Sequence, residues 1–284
     1  MSRRREIERR IHALSDIADI MGSLKMLALQ EIRVLNRRLR CQAAVLNALE
    51  GAAAQLLAHY PQLLGAEARP CHVYVLFGSE RGFCGEFNRQ VYAQFTAQLS
   101  ADSAAAYRAV TVGDRLHSQL AGDGAAVARL PGASVAQDIG AVLEALVDAL
   151  NALRADVGLF DLTAVYHDAL RREVRQRRIL PPFQTCRVGD GGPFAPLLNL
   201  PPRQLYAQLV EQYLFAVFHD IASTSLMAES QKRVEHLEAA IHRIDDRTDR
   251  LALKRNALRQ EEVTQEIEVI LLNAGVDDVP WRQH

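Results

Sequence analysis

The sequence predicts an α/β fold with long helices: an antiparallel coiled coil of the N- and C-terminal helices, plus a small α/β domain between them. Three observations predict it. Both ends of the chain are nearly free of helix breakers, both carry one narrow apolar stripe, and the breakers gather in the middle. Of 16 Gly and 10 Pro, only Gly22, Gly51, Gly275 and Pro280 lie outside residues 61–202. The 284 residues are 49% hydrophobic and 24% charged, which is the composition of a folded protein rather than a disordered or membrane-embedded one. A net charge of -1 removes any whole-chain electrostatic argument for nucleic acid or anionic lipid.

From Arg3 to Tyr60 there is no proline, so nothing local stops this stretch from being one helix. Its heptad seam runs through Ile11, Leu14, Ala18, Met21, Lys25, Ala28, Ile32, Leu35, Leu39, Gln42, Leu46 and Leu49, apolar at 10 of 12 positions. From Arg203 to Ala274 there is neither proline nor glycine. Here the seam is Met227, Ser230, Val234, Leu237, Ile241, Ile244, Thr248, Leu251, Arg255 and Leu258, apolar at 7 of 10. Val263, Ile267, Ile270 and Leu271 then step off this register, as a stutter would. At the rise of an α-helix the two would measure about 85 Å and about 108 Å, against about 50 Å for a compact globule of this size. Each must bury a single stripe, and burying the two against each other gives the coiled coil.

Between them, Val73–Phe77, Ala109–Val112 and Leu159–His167 read as strands, and Asn88–Gln98 and Val135–Leu153 as helices. Alternating β and α predicts a layered, Rossmann-like domain. Arg177–Leu180 reads as a further strand, and residues 181–202, with six of the ten prolines, as a loop leading back to the second long helix. The expected division is residues 1–62 for the first coiled-coil helix, 68–200 for the α/β domain, 203–276 for the second helix, and 277–284 for a short tail.

Chemistry is sparse. Cys41, Cys71, Cys84 and Cys186 form no CxxC pair, and the histidines lack ligand spacing, so neither a zinc site nor a disulfide framework is expected. The segment Gly78 to Asn88 follows a strand and precedes a helix, where α/β proteins bind phosphates, but it has neither the GxxxxGK[ST] nor the GxGxxG pattern. Residues 171–178 hold five arginines without an interleaved aromatic, which reads as a solvated hairpin. Residues 1–40 hold ten basic and five acidic side chains, a local excess suited to an acidic partner. The N-terminus shows no apolar export signal, and no window reaches about 18 uncharged apolar residues.

Three stretches carry a family resemblance: Glu6-Ile7 through Arg33, Arg81-Gly82-Phe83-Cys84-Gly85 with Asn88, and Arg259-Gln260-Glu261-Glu262-Val263-Thr264-Gln265-Glu266-Ile267. On these the chain resembles the gamma subunit of F-type rotary ATP synthases over nearly its whole length. It departs at Glu80, Phe83 and Glu86 in the middle motif. In the first helix Asp19-Ile20-Met21-Gly22-Ser23-Leu24 stands where the family has a stretch with two lysines, the pattern of a divergent member.

The resemblance implies a central rotor shaft that couples ion-driven rotation of the membrane ring to conformational cycling of the catalytic sites, for ATP synthesis or hydrolysis. Its partners would be the alpha and beta subunits, the epsilon subunit and the membrane c-ring, at the cytoplasmic face of a bacterial inner membrane. It implies no catalytic residue, metal or cofactor in this chain. Arg233, Gln260 and Thr264 would meet a loop of the beta subunit, and Ile270, Leu271 and Leu272 would turn in an upper bearing. Arg81, Gly82, Cys84, Gly85 and Asn88 would form a structural βα turn. The heptads alone suit a coiled-coil scaffold or adaptor equally well, and the Gly-rich turn leaves room for a nucleotide-dependent enzyme.

Overall fold

The computed structural model describes residues 2–64, 71–101, 106–120, 126–184 and 196–274. Two helices dominate: α1 (Ser2–His59) and α5 (Pro202–Ala274). Between them lie β1 (Cys71–Phe77), α2 (Phe87–Ala101), β2 (Ala106–Val112), α3 (Asp114–Leu120), β3 (Ala126–Leu130), α4 (Ile139–Val157), β4 (Phe160–Asp168) and β5 (Glu173–Leu180). The expected tail, 277–284, lies outside the described residues, as do the chain at 65–70 and most of the proline-rich loop. The chain forms two compact units, residues 2–26 with 237–274, and residues 27–236.

In the first unit the two helical segments run antiparallel. Arg4 Nε lies 3.2 Å from Glu262, and Lys25 Nζ 3.5 Å from Glu238, so positions rise along one helix as they fall along the other. The seam residues Ile11, Leu14, Ala18, Ile241, Ile244, Thr248, Leu251 and Arg255 are half-buried between exposed neighbours, as a two-helix stripe requires. Lys25 is a polar seam residue that ends on a carboxylate of the facing helix. Val263, Ile267, Ile270 and Leu271 are exposed because α5 continues past Glu262, where α1 has only its first turn to offer. Their departure from the heptad register thus marks the end of the pairing.

In the second unit a five-stranded sheet has the order β3-β2-β1-β4-β5. Four strands are parallel, and β5 turns back antiparallel on β4, with Tyr166 opposite Arg175. Strand alternation sorts the core into two layers. Tyr74, Leu76 and Val165 pack with Val91, Phe95 and Leu116 of α2 and α3. Val73, Val75, Phe77 and Leu162 face the other way, in one cluster with Leu146 of α4, Leu35 and Leu57 of α1, and Val217 and Ile221 of α5. The long helices are therefore part of this core. All ten residues from Ile221 to Ser230 are buried, and six are Ala, Ser or Thr, which lets α5 be surrounded on every side.

The sequence predicts four of the five strands. It misses α3 and β3, which are seven and five residues long, too short to show a period. The basic run does form a hairpin, but its arginines are mostly engaged. Arg175 pairs with Asp168 and Arg178 with Asp161, while half-buried Arg177 reaches Glu50 of α1 and Asp220 of α5.

Candidate functional site

The strongest motif, the segment after β1, folds as a turn that the rest of the second unit holds from several sides. Gly78 donates its N–H to Val112 O at 2.8 Å, and a Cβ there would lie 2.3 Å from Leu116 Cβ, so only glycine lets α3 approach. Gly113, at φ +102°, returns the favour from β2, since a side chain would meet the Gly78 carbonyl. Asn88, in the first turn of α2, accepts from Ser79 N at 2.8 Å and donates to Ser79 Oγ at 2.9 Å. Glu80 folds across the strand ends, where its carboxylate accepts from Gly132 N at 2.7 Å and Asp114 N at 3.1 Å.

Beyond Glu80 the turn meets α5. Arg81 N donates to Glu229 Oε1 at 3.3 Å, and Arg233 Nε donates to Gly82 O at 3.3 Å. Arg233 also forms an i, i+4 ion pair with Glu229. Cys84 Sγ lies 3.3 Å from the carbonyls of Arg81 and Gly82, 3.8 Å from Glu229 Oε1 and 3.5 Å from Arg233 Nη2. Glu229, Arg233 and Cys84 are all buried. Burial pushes the Cys84 thiol up to about 12, with the Glu229 charge adding to it, so this sulfur is a neutral donor and not a nucleophile. Burial also raises Glu229, while the Arg233 charge and the backbone N–H groups favour its ionised form. Phe83 and Gly85 take the left-handed backbone region, at φ +63° and +57°, and the Phe83 ring stands half-exposed outside the turn. Below, His167 stacks on Phe87 and donates Nε2–H to the Phe87 carbonyl at 2.9 Å; burial lowers its pKa.

The turn residues Arg81, Gly82, Cys84, Gly85 and Asn88 thus stand together, with buried Arg233 bound to them from α5. The residues named with Arg233 lie elsewhere, in the first unit. Gln260 and Thr264 are exposed on α5, with Thr264 Oγ1–H donating to Gln260 O at 2.9 Å. Ile270, Leu271 and Leu272 are 65%, 65% and 71% exposed. Sequence reasoning misses Glu229 and Glu80. For Glu229 the available signal is a carboxylate four residues before Arg233, inside a run of small residues. Among the described residues no group of three His, Cys, Asp or Glu could hold a metal ion, and no helix is long and apolar enough to cross a membrane.

Comparison with known proteins gives this arrangement a family. A family model described as ATP synthase matches residues 3–274. The ATP synthase gamma chain of Clostridium beijerinckii is 25% identical, over 96% of this chain and 98% of its own. That of Clostridium perfringens is 23% identical, over 94% and 95%. A chain in the cryo-EM structure of the Euglena gracilis mitochondrial ATP synthase, OSCP/F1/c-ring, superposes with a TM-score of 0.65 at 16% identity, covering 100% of this chain and 98% of that one. A chain of the Tetrahymena thermophila mitochondrial ATP synthase central stalk and c-ring gives 0.55 at 18% identity, covering 78% and 99%. The likeness thus takes in both long helices and the sheet between them, and the chain belongs to the ATP synthase family.

Proposed function

We propose that the chain is the gamma subunit of an F-type ATP synthase: the central rotor shaft that couples rotation of the membrane ring to conformational cycling of the alpha and beta sites. One observation carries this reading: the family match runs from residue 3 to 274, through the sheet as well as both helices. A scaffold or adaptor chosen for its heptads alone would share the helices and not the domain between them.

The physics of the first unit suits the role. A pair of unlike helices has no threefold symmetry, so inside a threefold sleeve it meets each of three equivalent sites differently and holds each in a different state. Turning it cycles the states, and the coupling runs both ways, so the same shaft serves synthesis or hydrolysis. On its far end α5 carries Val263, Ile267, Ile270, Leu271 and Leu272 exposed, an apolar surface that calls for an apolar collar. Ile270, Leu271 and Leu272 are our candidates for that bearing. Gln260 and Thr264 are our candidates for contact with a beta-subunit loop. Arg233 enters this proposal through the turn that it holds.

In the second unit an open cleft lined by Leu63, Leu64, Phe160, Leu180, Tyr206 and Leu214 lies at the opposite end of the strands from the Gly78 turn. It supplies an apolar surface for an epsilon-type partner or the c-ring. Attachment to the membrane is peripheral and runs through that ring, and the organism group of the curated relatives supports the cytoplasmic face of a bacterial membrane.

The test is single-molecule rotation. The chain is co-expressed with alpha and beta subunits, with a reporter bead on a cysteine introduced at Leu170, which is 75% exposed in the β4–β5 turn. ATP is expected to turn the bead in one direction. An assembled, hydrolysing complex that lacks this chain, or contains it without rotation, overturns the reading.

A further inference from the structure

The Glu229 carboxylate is held as a bound anion is held. One oxygen receives the Arg81 backbone N–H and the Arg233 guanidinium, the Cys84 sulfur lies 3.8 Å from it, and the neighbouring Glu80 backbone favours its charged form. A backbone N–H of a turn and a guanidinium, meeting on one carboxylate oxygen, make the kind of donor set that binds oxyanions. Its place in the fold agrees. The turn leaves the C-terminal end of β1, and β1 is the strand from which the order runs one way to β2 and the other way to β4. Open α/β sheets receive their ligands at that point. In this chain the position is filled by a side chain of α5, 3% exposed, with Arg233 at 8%.

We propose that the turn from Glu80 to Cys84, together with Arg233, is an oxyanion site whose resident ligand is the Glu229 carboxylate, and that a small free carboxylate takes its place when that side chain is shortened. α5 is thereby docked on the sheet by a tethered ligand, and the crevice that related folds offer to nucleotides is closed from within the chain. Neither statement depends on the rotor reading, because both concern the isolated chain.

The experiment is thermal unfolding of the full chain with Glu229→Ala, in formate and in chloride of equal ionic strength. Removing one partner of a buried pair is expected to lower Tm by about 6–12 °C. Formate at about 0.1 M is expected to restore at least half of that loss by mass action, while chloride restores none. Glu229→Gln fills the same space with a neutral amide and is expected to show no formate response, as is the double variant Glu229→Ala/Arg233→Met. Phosphate, larger than the carboxylate whose place it would take, is expected to restore less than formate, and an equal or greater recovery in phosphate overturns the assignment as a carboxylate site. Equal recovery in formate and chloride, or a formate response in Glu229→Gln, overturns the proposal.

Should Glu229→Ala not fold, hydrogen exchange on the wild type and Glu229→Gln decides. The Arg81 amide is expected to exchange about tenfold faster in Glu229→Gln while β4 amides keep their protection. Unchanged exchange at Arg81 overturns the assignment.

Discussion

His167 is the residue whose chemistry most directly reports the state of the fold. Its ring lies between the sheet and the first turn of α2, stacked on Phe87, and its Nε2–H goes to the Phe87 carbonyl. Protonation would put a charge where burial opposes it and the nearby Lys232 charge adds to that opposition. The unfolded chain takes up this proton below the ordinary 6.5 while the folded chain resists, so the unfolded state gains as the pH falls through that value. Stability of the wild type should therefore drop on acidification, with His167 contributing a slope of up to about 1.4 kcal/mol per pH unit. Denaturant titrations of wild type and His167→Asn at pH 7 and pH 5 check this: the loss between the two pH values should be smaller in the variant, and equal losses would show that another group sets the acid limb. Nothing in the sequence points to His167, since burial and stacking arise only when β4 and α2 meet. Arg233 shows the same limit in another form. The family resemblance picks it out, but its partners Glu229, Gly82 and Cys84 come from two distant segments.

At the scale of elements, what was legible follows the length of the period. Heptad positions of α1 and α5 are buried or half-buried from Ile11 to Leu49 and from Met227 to Leu258, because a stripe repeated ten or twelve times leaves one way to hide it. The strands β1 and β4 show as apolar runs because both of their faces are covered. β3, Ala-Val-Ala-Arg-Leu at the end of the sheet, has no such run, and α3 is two turns at most. The basic hairpin is legible as a hairpin but not as a joint, because the acids that meet Arg177 come from α1 and α5. Within α1 the seam separates residues that hold the fold from residues that do not. Leu35 is fully buried against the sheet side of the core, and Leu35→Ala should cost about 2–5 kcal/mol. Ile20 is 62% exposed, and Ile20→Ala should stay within about 0.5 kcal/mol. Urea unfolding of the free chain compares them; similar losses would mean that the apolar pattern of α1 does not report its packing.

For the molecule as a whole, the proposed role separates what folds the chain from what drives its neighbours. Gln260, Thr264 and Ile270 to Leu272 are exposed and make no apolar core, so replacing them should leave unfolding of the free chain unchanged within about 0.5 kcal/mol. In the assembled enzyme the outcome should differ: Gln260→Ala should lower ATP-driven ion pumping per ATP hydrolysed, and Ile270→Ser with Leu271→Ser and Leu272→Ser should slow rotation. Proteoliposome pumping set against hydrolysis rate checks both, and full coupling in all variants would return these residues to ordinary solvent-facing positions. One further consequence belongs to β5, which ends the sheet and carries Arg175, Arg177 and Arg178 along its length. An outermost strand offers a row of spare amides and carbonyls to any passing extended peptide, and here the ion pairs of Arg175 with Asp168 and of Arg178 with Asp161 set bulky charged groups along it. A second copy laid against this strand would have to desolvate those pairs, a cost that discourages free copies from zipping onto one another.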